Sequence, residues 1–465
     1  MMHMKKKNQV RMPEQPADIR RTNFDEVPCG LSEEEALYEA GRCIQCKNPT
    51  CRKGCPVNID IKAFIKLITE KKYIEAARKI KEQNALPAVC GRVCPQEDQC
   101  EKACVLHAKR NPIAIGYLER FVADYEQRSN EVFVPAINKE SGKKIAVVGS
   151  GPSGLTCAGE LRLLGHEVHI FEALHKPGGV LSYGIPEFRL PKSIIDQEVD
   201  YLTRMGVRMH YNAVIGKIKT IEELFKKGFH AVYIATGAGY PQFMNIPGEH
   251  LNYVYSANEF LTRVNLMKAY QFPQMSTPVE VGKRTAVIGG GNTAMDAARS
   301  ALRLGGNKVC VIYRRSEKEM PARIEEIRHA HEEGIEFIFL AAPVAYIGDE
   351  HNRIRAIRCI RMKLGEPDQS GRKKPLPVPG SEFEISVDSV IIAVGTRANP
   401  IVPESTSGLQ CSNKGYIIAD AAGATSLPNV YAGGDIVSGS ATVIKAMGAG
   451  KTSAKTIDEM LKKLE

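Results

Sequence analysis

The chain has 465 residues, of which 43% are hydrophobic and 25% charged, with a net charge of +10 and no tryptophan. This suits about three soluble globular domains; no apolar run approaches the ~20 residues of a membrane helix, and no apolar stretch follows the charged start to form a secretory signal. With no tryptophan to stack on bases and no nucleic-acid-binding signature, the positive charge reads as a surface for acidic proteins or phosphate-bearing molecules.

The first 21 residues concentrate Lys5, Lys6, Lys7, Arg11, Arg20 and Arg21. The simplest reading of such a tail is a solvated, mobile end. The expected location is cytoplasmic, where thiols stay reduced and crowded cysteines more often bind metal than pair as disulfides. That matters because eight of the thirteen cysteines fall in two groups. Cys43, Cys46, Cys51 and Cys55 are spaced C-x2-C-x4-C-x3-C-P; Cys90, Cys94, Cys100 and Cys104 are spaced C-x3-C-P-x4-C-x3-C. Cys29, Cys157, Cys310, Cys359 and Cys411 are isolated and read as small hydrophobes.

Two metals suit such groups. Structural zinc takes four ligands, usually from two C-x2-C pairs. A 4Fe–4S cluster also takes four, and a cysteine-proline step after a short ladder is the ferredoxin habit, in which that cysteine serves the neighbouring cluster. The step occurs twice here, at Cys55-Pro56 and Cys94-Pro95, and iron–sulfur is the preferred reading.

The flanks are helical. Ser32 followed by Glu35 is a capping-box signature, and Ala36, Leu37, Ala40 and Ile44 fall near one face. Ile61, Phe64, Ile65 and Ile68, then Tyr73, Ile74, Ala77 and Ile80, continue the helical spacing. Residues up to about 130 are expected to form a small helical domain with little core of its own, held together by its clusters.

Residues 143–172 form a complete βαβ signature. A short apolar strand enters Gly149-x-Gly151-x-x-Gly154, then comes a helix and a second strand ending at Glu172. Such glycines permit a tight turn and close approach of a pyrophosphate to a helix N-terminus, and the acid can accept hydrogen bonds from a ribose diol. Residues 283–315 repeat the plan with Gly289-x-Gly291-x-x-Ala294, Asn292 and Thr293 lying inside the turn. Here the second strand ends in Arg314 and Arg315, which suit a 2′-phosphate and select NADP(H) over NAD(H). Two dinucleotide units in one chain usually pair FAD with a nicotinamide. Residues 389–400 read as a strand and turn returning to the first unit, and 429–448 add a strand, a turn with Asp435 for the ribityl chain, and a helix from Thr442 aimed at the flavin.

Across nearly its whole length the chain resembles the small (beta) subunit of NADPH-dependent glutamate synthase. The resemblance rests on CIQCKNPTCRKGCPVNIDI, LPAVCGRVCPQEDQCEKACV, AIGYLERFVADY, VVGSGPSGL, GGVLSYGIPEFRLPK, VIGGGNTAMDAAR, YRRSEKEMPAR and AGGDIVSGSATVIKAMGAGK. It is most similar to the branch containing the large subunit of the electron-bifurcating NADH-dependent ferredoxin:NADP oxidoreductase, and its N-terminal part is similar to the cluster domain of dihydropyrimidine dehydrogenase. The resemblance implies two interleaved 4Fe–4S clusters. Cys43, Cys46, Cys51 and Cys104 would hold one; Cys55, Cys94, Cys100 and Glu119 would hold the other, leaving Cys90 out. Without the family, Glu119 would read as a surface helix carboxylate. The resemblance also sets Gly178 and Gly179 beside the flavin.

The expected fold class is α/β: two Rossmann-like dinucleotide-binding domains of the disulfide-reductase type, one inserted in the other, preceded by an all-α iron–sulfur domain. The expected divisions are 1–142 for the cluster domain and linker, 143–279 with 389–465 for FAD, and 280–388 for NADP(H). The expected activity is an iron–sulfur flavoprotein relay between NADPH, FAD and the clusters, with the cofactors carrying the chemistry and no catalytic side-chain set. The partner would be a second flavin and iron–sulfur subunit or a glutamate synthase large subunit, with ferredoxin as a further partner, and neither nucleic acid nor membrane is expected. A non-catalytic scaffold binding nucleotides and zinc is the alternative of another class.

Overall fold

The computed structural model describes residues 8–109, 111–129 and 133–464. Its N-terminal part is helical: α1 (Glu33–Ala40), α2 (Ile61–Thr69), α3 (Tyr73–Lys81), α4 (Pro87–Val93) and α5 (Ile115–Ser129). Ser32 and Glu35 make the expected capping box, but α1 stops at Ala40 and leaves Ile44 exposed. The long apolar repeat after Asp60 breaks into α2 and α3 because Lys71 takes a left-handed conformation (φ 58°).

Two five-stranded parallel sheets follow. The first contains β1 (Lys144–Val148), β2 (Glu167–Phe171), β3 (Arg208–His210) and β4 (Ala231–Ile234), with helices α6 (Pro152–Leu163) and α7 (Lys192–Arg204). The second contains β5 (Val254–Ser256), β6 (Arg284–Ile288), β7 (Lys308–Tyr313) and β8 (Glu336–Phe339), with α8 (Asn292–Arg303) and α9 (Ile324–Glu332). An antiparallel insertion comes next: β9 (Ala341–Gly348), β10 (Ile354–Pro367), β11 (Lys373–Pro377) and β12 (Phe383–Ser386). The chain ends with β13 (Ser389–Ile392), β14 (Val430–Ala432) and α10 (Val443–Leu461).

The first sheet is ordered β14-β4-β1-β2-β3 and the second β5-β13-β6-β7-β8. The expected division of the chain therefore shifts. Strands β5 and β13, which the sequence reading gave to the first unit, hydrogen-bond in the second sheet, β13 lying parallel between β5 and β6. All three strands are short apolar runs, so their composition carries no information about which sheet takes them.

Residues alternate across each sheet, as the period of two requires. Ile145 and Val147 of β1 face the helical part, whereas Ala146 and Val148 face the other side; Val287 of β6 likewise points opposite to Ala286 and Ile288. One buried cluster runs without interruption from Phe64, Ile68 and Leu118 to Ile145, Leu155 and Met447. The helical part therefore has a substantial core, shared with the first sheet, contrary to the expectation of a domain held only by its metal.

The N-terminal segment is also more ordered than its charge suggested. Lys5, Lys6 and Lys7 lie outside the described residues. Arg20, expected in a solvated tail, is 2% exposed and ion-paired with Glu333 and Glu332 of the second unit. Phe24 stacks on Tyr270 at 4.3 Å, and Val27 N donates to Phe188 O. The guanidinium groups of Arg299 and Arg303 lie over the Phe188 ring, at 4.7 and 4.0 Å, and Arg189 pairs with Asp296 and Glu326 at 2.8 Å each. Breaking one partner of such a buried pair costs ~3–5 kcal/mol, so these contacts fix how the two nucleotide units face each other. Among the described residues no helix is long and apolar enough to cross a membrane.

Candidate functional site

Cys43, Cys46, Cys51 and Cys104 line one cavity, although Cys104 comes from the second sequence group. The two segments are in backbone contact: Thr50 Oγ1 donates to Ala103 O at 2.5 Å, and a Cβ on Gly54 would lie 2.8 Å from Gln99 O. Burial pushes the Cys51 thiol up to about 11, with like charge from Cys104, Cys43 and Cys46 adding to it. Cys43 is raised for the same reasons, with Cys46 and Cys104 as its neighbours. Thiols that burial and mutual repulsion keep from ionising are a donor set made stable by a cationic centre, which deprotonates them. All four are only half-buried, and Ile44 and Val105 stand exposed at the cavity.

A second set lies deeper. Cys94, Cys100 and Glu119 are buried and Cys55 is half-buried. Cys55 is raised first by burial and also by Glu119 and Cys94; Cys100 is raised by burial and then by Glu101, Glu119, Cys94 and Cys55. Glu119 is 5% exposed, which excludes the surface-carboxylate reading, and burial lifts it to about 8. It is brought inward where α5 crosses α4 with almost no separation: a Cβ on Gly91 would lie 2.6 Å from Arg120 N. Asn84 Nδ2 donates to Glu119 Oε1 at 2.7 Å, while Leu86 N donates to Asn84 Oδ1 at 2.9 Å and so orients the amide. Cys90 is fully buried, with its Sγ 3.5 Å from Met447 Sδ and 3.7 Å from Asn84 Oδ1. Helix α10 also meets the Cys55-Pro56 step, since a Cβ on Gly448 would lie 3.1 Å from Pro56 O.

The first glycine turn joins β1 to α6. Gly149 has φ +104°, and a Cβ there would lie 2.5 Å from Ala235 O; one on Gly154 would lie 2.0 Å from Gly149 O. A Cβ on Gly151 would meet no atom within 4 Å, so open space faces the N-terminus of α6 where a pyrophosphate would approach. Gly179 (φ +53°) approaches Gly151, its ideal Cβ 3.0 Å from Gly151 Cα, and Gly178 N donates to Ser150 O. Glu172 Oε2 accepts from Ser150 N at 2.9 Å and from Ser150 Oγ, while Oε1 accepts from Leu174 N at 2.8 Å and keeps a lone pair for a ribose hydroxyl. Asp435 follows Gly434, whose Cβ would lie 2.9 Å from Ser153 Cβ at the start of α6. Burial lifts Asp435 to about 6. Thr442 caps α10, accepting from Lys445 N. The glycine turn, Gly178–Gly179 and the Asp435 turn thus converge around the start of α6.

The second turn, from β6 into α8, is built alike: Gly289 (φ +145°) has no room for a Cβ, which would lie 2.3 Å from Ala393 O, whereas a Cβ on Gly291 would meet only Pro321 Cγ at 3.9 Å. Ala294 is buried, Asn292 and Thr293 are exposed, and Asn292 Oδ1 accepts from Arg323 N at 2.9 Å. The two arginines after β7 part company. Arg314 is exposed, but Arg315 is 4% exposed and its Nη2 pairs with Asp368 Oδ2 at 2.7 Å. Arg315 is therefore committed within the protein, contrary to its expected role as a free phosphate ligand.

Sequence reasoning passed over Asn84, Asp368 and Tyr183. Tyr183 stands between the units: burial lifts its hydroxyl to about 12, with Asp435 and Glu172 next in effect, and its oxygen lies 3.2 Å from where a Gly239 Cβ would be. No local pattern marks these residues, since each acts on a group far away in the chain.

Residues 20–131 match the family described as dihydropyrimidine dehydrogenase domain II, 4Fe-4S cluster. Residues 117–228 and 143–450 match the pyridine nucleotide-disulphide oxidoreductases. The small chain of NADPH glutamate synthase from Azospirillum brasilense is 36% identical over 461 residues, covering 96% of this chain and 94% of that one. The beta subunit of NADP(+)-dependent formate dehydrogenase from Moorella thermoacetica is 39% identical over 438 residues, 89% of this chain, and this chain spans 60% of its length. Among solved structures, Mycobacterium tuberculosis FprA in complex with NADPH is alike in fold, with a TM-score of 0.59 and 24% identity over 69% of this chain and 85% of that one.

Proposed function

The chain belongs to the family of NADPH-dependent iron–sulfur oxidoreductases that includes the glutamate synthase small chains, and from that premise we propose that it is the electron-input subunit of a larger oxidoreductase, serving as the large subunit of an NADH-dependent ferredoxin:NADP oxidoreductase. FAD and NADP(H) supply hydride exchange when bound, and the 4Fe–4S clusters supply one-electron transfer. The observation that carries the reading is the interleaving of donors: Cys43, Cys46, Cys51 and Cys104 around one cavity, and Cys55, Cys94, Cys100 and Glu119 in a second set. In this reading each set binds one cluster, and Cys90 binds none.

The roles of the remaining residues follow from their positions. Gly149, Gly151 and Gly154 admit the pyrophosphate of FAD, Glu172 receives its ribose, and Gly178, Gly179, Asp435 and the Thr442 end of α10 face the rest of the flavin. Gly289, Gly291, Asn292, Thr293 and Ala294 admit NADP(H), and Arg314 meets its 2′-phosphate. We divide the labour among a cluster-binding helical part, an FAD part built on the first sheet and an NADP(H) part built on the second. Electrons leave through the half-buried thiol set, at whose cavity Ile44 and Val105 offer apolar surface to a partner.

A second reading, the small subunit of glutamate synthase, is favoured by the match over 96% of this chain and 94% of the Azospirillum small chain. Anaerobic purification from the native cell tests both. A copurifying smaller flavin and iron–sulfur chain with NADH-dependent activity is expected; a large synthase chain would select the second reading. A colourless protein with no labile sulfide would overturn both.

A further inference from the structure

The elements around Arg314 and Arg315 point to a residue outside the βαβ signature. The C-terminal end of β7 lies beside the second glycine turn: Gly289 N donates to Ile312 O, and a Cβ on Gly290 would lie 2.7 Å from the Tyr313 ring. Any adenosine ribose lying over this turn therefore reaches the residues just after Tyr313. Arg315, the second of these, turns inward. Its Nε donates to Lys373 O at 2.8 Å and its Nη2 pairs with Asp368, so it holds the tip between β10 and β11 from both strands.

That tip is tightly turned. Asp368 N donates to Arg372 O at 2.8 Å, and Asp368 Oδ1 accepts from Ser370 N at 2.8 Å. Arg372 thus sits directly across the turn from the carboxylate that Arg315 grips. Its Nε donates to Ser370 Oγ at 2.9 Å, and among the described residues its other guanidinium hydrogens meet no acceptor. Arg314 makes no ion pair or hydrogen bond through its side chain among the described residues, and its guanidinium, exposed at its end but partly covered along its length, is held below its ordinary pKa by that partial desolvation, then by the charges of Arg315 and Arg372. Arg314 at the strand end and Arg372 on the tip that Arg315 ties to that end, with the Asp368 carboxylate already paired to Arg315, form a site for a multiply charged anion.

We propose that Arg372, carried on the tip between β10 and β11, is a second specificity-determining cation for the 2′-phosphate of NADP(H), acting beside Arg314, and that the Arg315–Asp368 pair is the tether that holds it there. This rests on the assignment of NADP(H) to the second turn and adds an element that lies more than fifty residues beyond that turn in the chain. The phosphate is then gripped from two sides, by the strand end and by the insertion. Arg315 serves recognition by positioning the tip and makes no contact with the phosphate.

Calorimetric titration of the full-length, cofactor-loaded protein tests the proposal, with adenosine 2′,5′-bisphosphate and 5′-AMP as probes and no turnover required. The native protein is expected to prefer the bisphosphate. Arg372→Ala should weaken the bisphosphate about tenfold or more, the scale of a lost charge-assisted hydrogen bond, while 5′-AMP binding stays unchanged. Arg372→Lys should recover part of the loss. Asp368→Asn separates tethering from bulk charge: it removes a negative group near the site, so simple electrostatics demands tighter bisphosphate binding, whereas loss of the tether demands weaker binding. Native bisphosphate affinity in Arg372→Ala, or tighter binding in Asp368→Asn, overturns the inference while leaving the NADP(H) assignment intact. No preference for the bisphosphate in the native protein overturns that assignment and the inference together.

Discussion

The two sets of thiols come from the same pair of sequence groups, yet they meet different surroundings. Cys43, Cys46, Cys51 and Cys104 are half-buried around a cavity with exposed apolar residues beside it. Cys94 and Cys100 are buried beside the Glu119 carboxylate. The contrast teaches that spacing sets which donors are available, while burial sets what each set is for. A half-buried set suits exchange with a partner; an enclosed set suits exchange within the chain.

The largest expected effect separates neighbours one helical turn apart. Cys94→Ala should lose about half of the iron and labile sulfide, one of two clusters, whereas Cys90→Ala should keep both in full. Iron and sulfide assays on anaerobically purified variants decide it, and equal losses would break the distinction between the sets. Controlled exposure to ferricyanide and a chelator sharpens the comparison. The half-buried set should release iron first, and the electron paramagnetic resonance signal of the enclosed set, for which Glu119 is the proposed oxygen ligand, should outlast that of the other. A smaller effect concerns Asn84, which satisfies one oxygen of Glu119 and orients the carboxylate. Asn84→Leu should cost ~1–3 kcal/mol in denaturant unfolding, because it strands Leu86 N and the Glu119 oxygen. It should also shift the midpoint potential of the enclosed set while sparing the half-buried one. An unchanged potential would reduce Asn84 to a packing residue.

Much of this site is legible in the chain. The Cys-Pro steps, the two glycine turns and the contrast between Glu172 and the Arg314–Arg315 pair all lie within short windows, and the structure puts the glycine turns and the charges after them at the strand and helix ends the pattern demands. Other features resisted. Strand β13 looked like a return to the first sheet, yet it pairs with β5 and β6, because a four-residue apolar strand fits any parallel sheet with an open place. Arg20 looked like part of a solvated tail, yet it is buried against Glu333, which lies over three hundred residues away. Arg315 looked equivalent to Arg314 until Asp368 claimed it.

By itself the order of residues determined the capping box, the turns that need glycine, the charges at strand ends and the supply of sulfur donors. These depend on backbone conformation and on side chains within a few bonds or one helical turn, where local sterics and hydrogen bonding decide. Only the tertiary structure decided which thiols share a cavity, that Asn84 reaches Glu119, and that the tip carrying Arg372 leans on the end of β7. Each of those joins segments tens of residues apart, and their meeting is set by which apolar faces bury each other, a choice that the whole core makes at once.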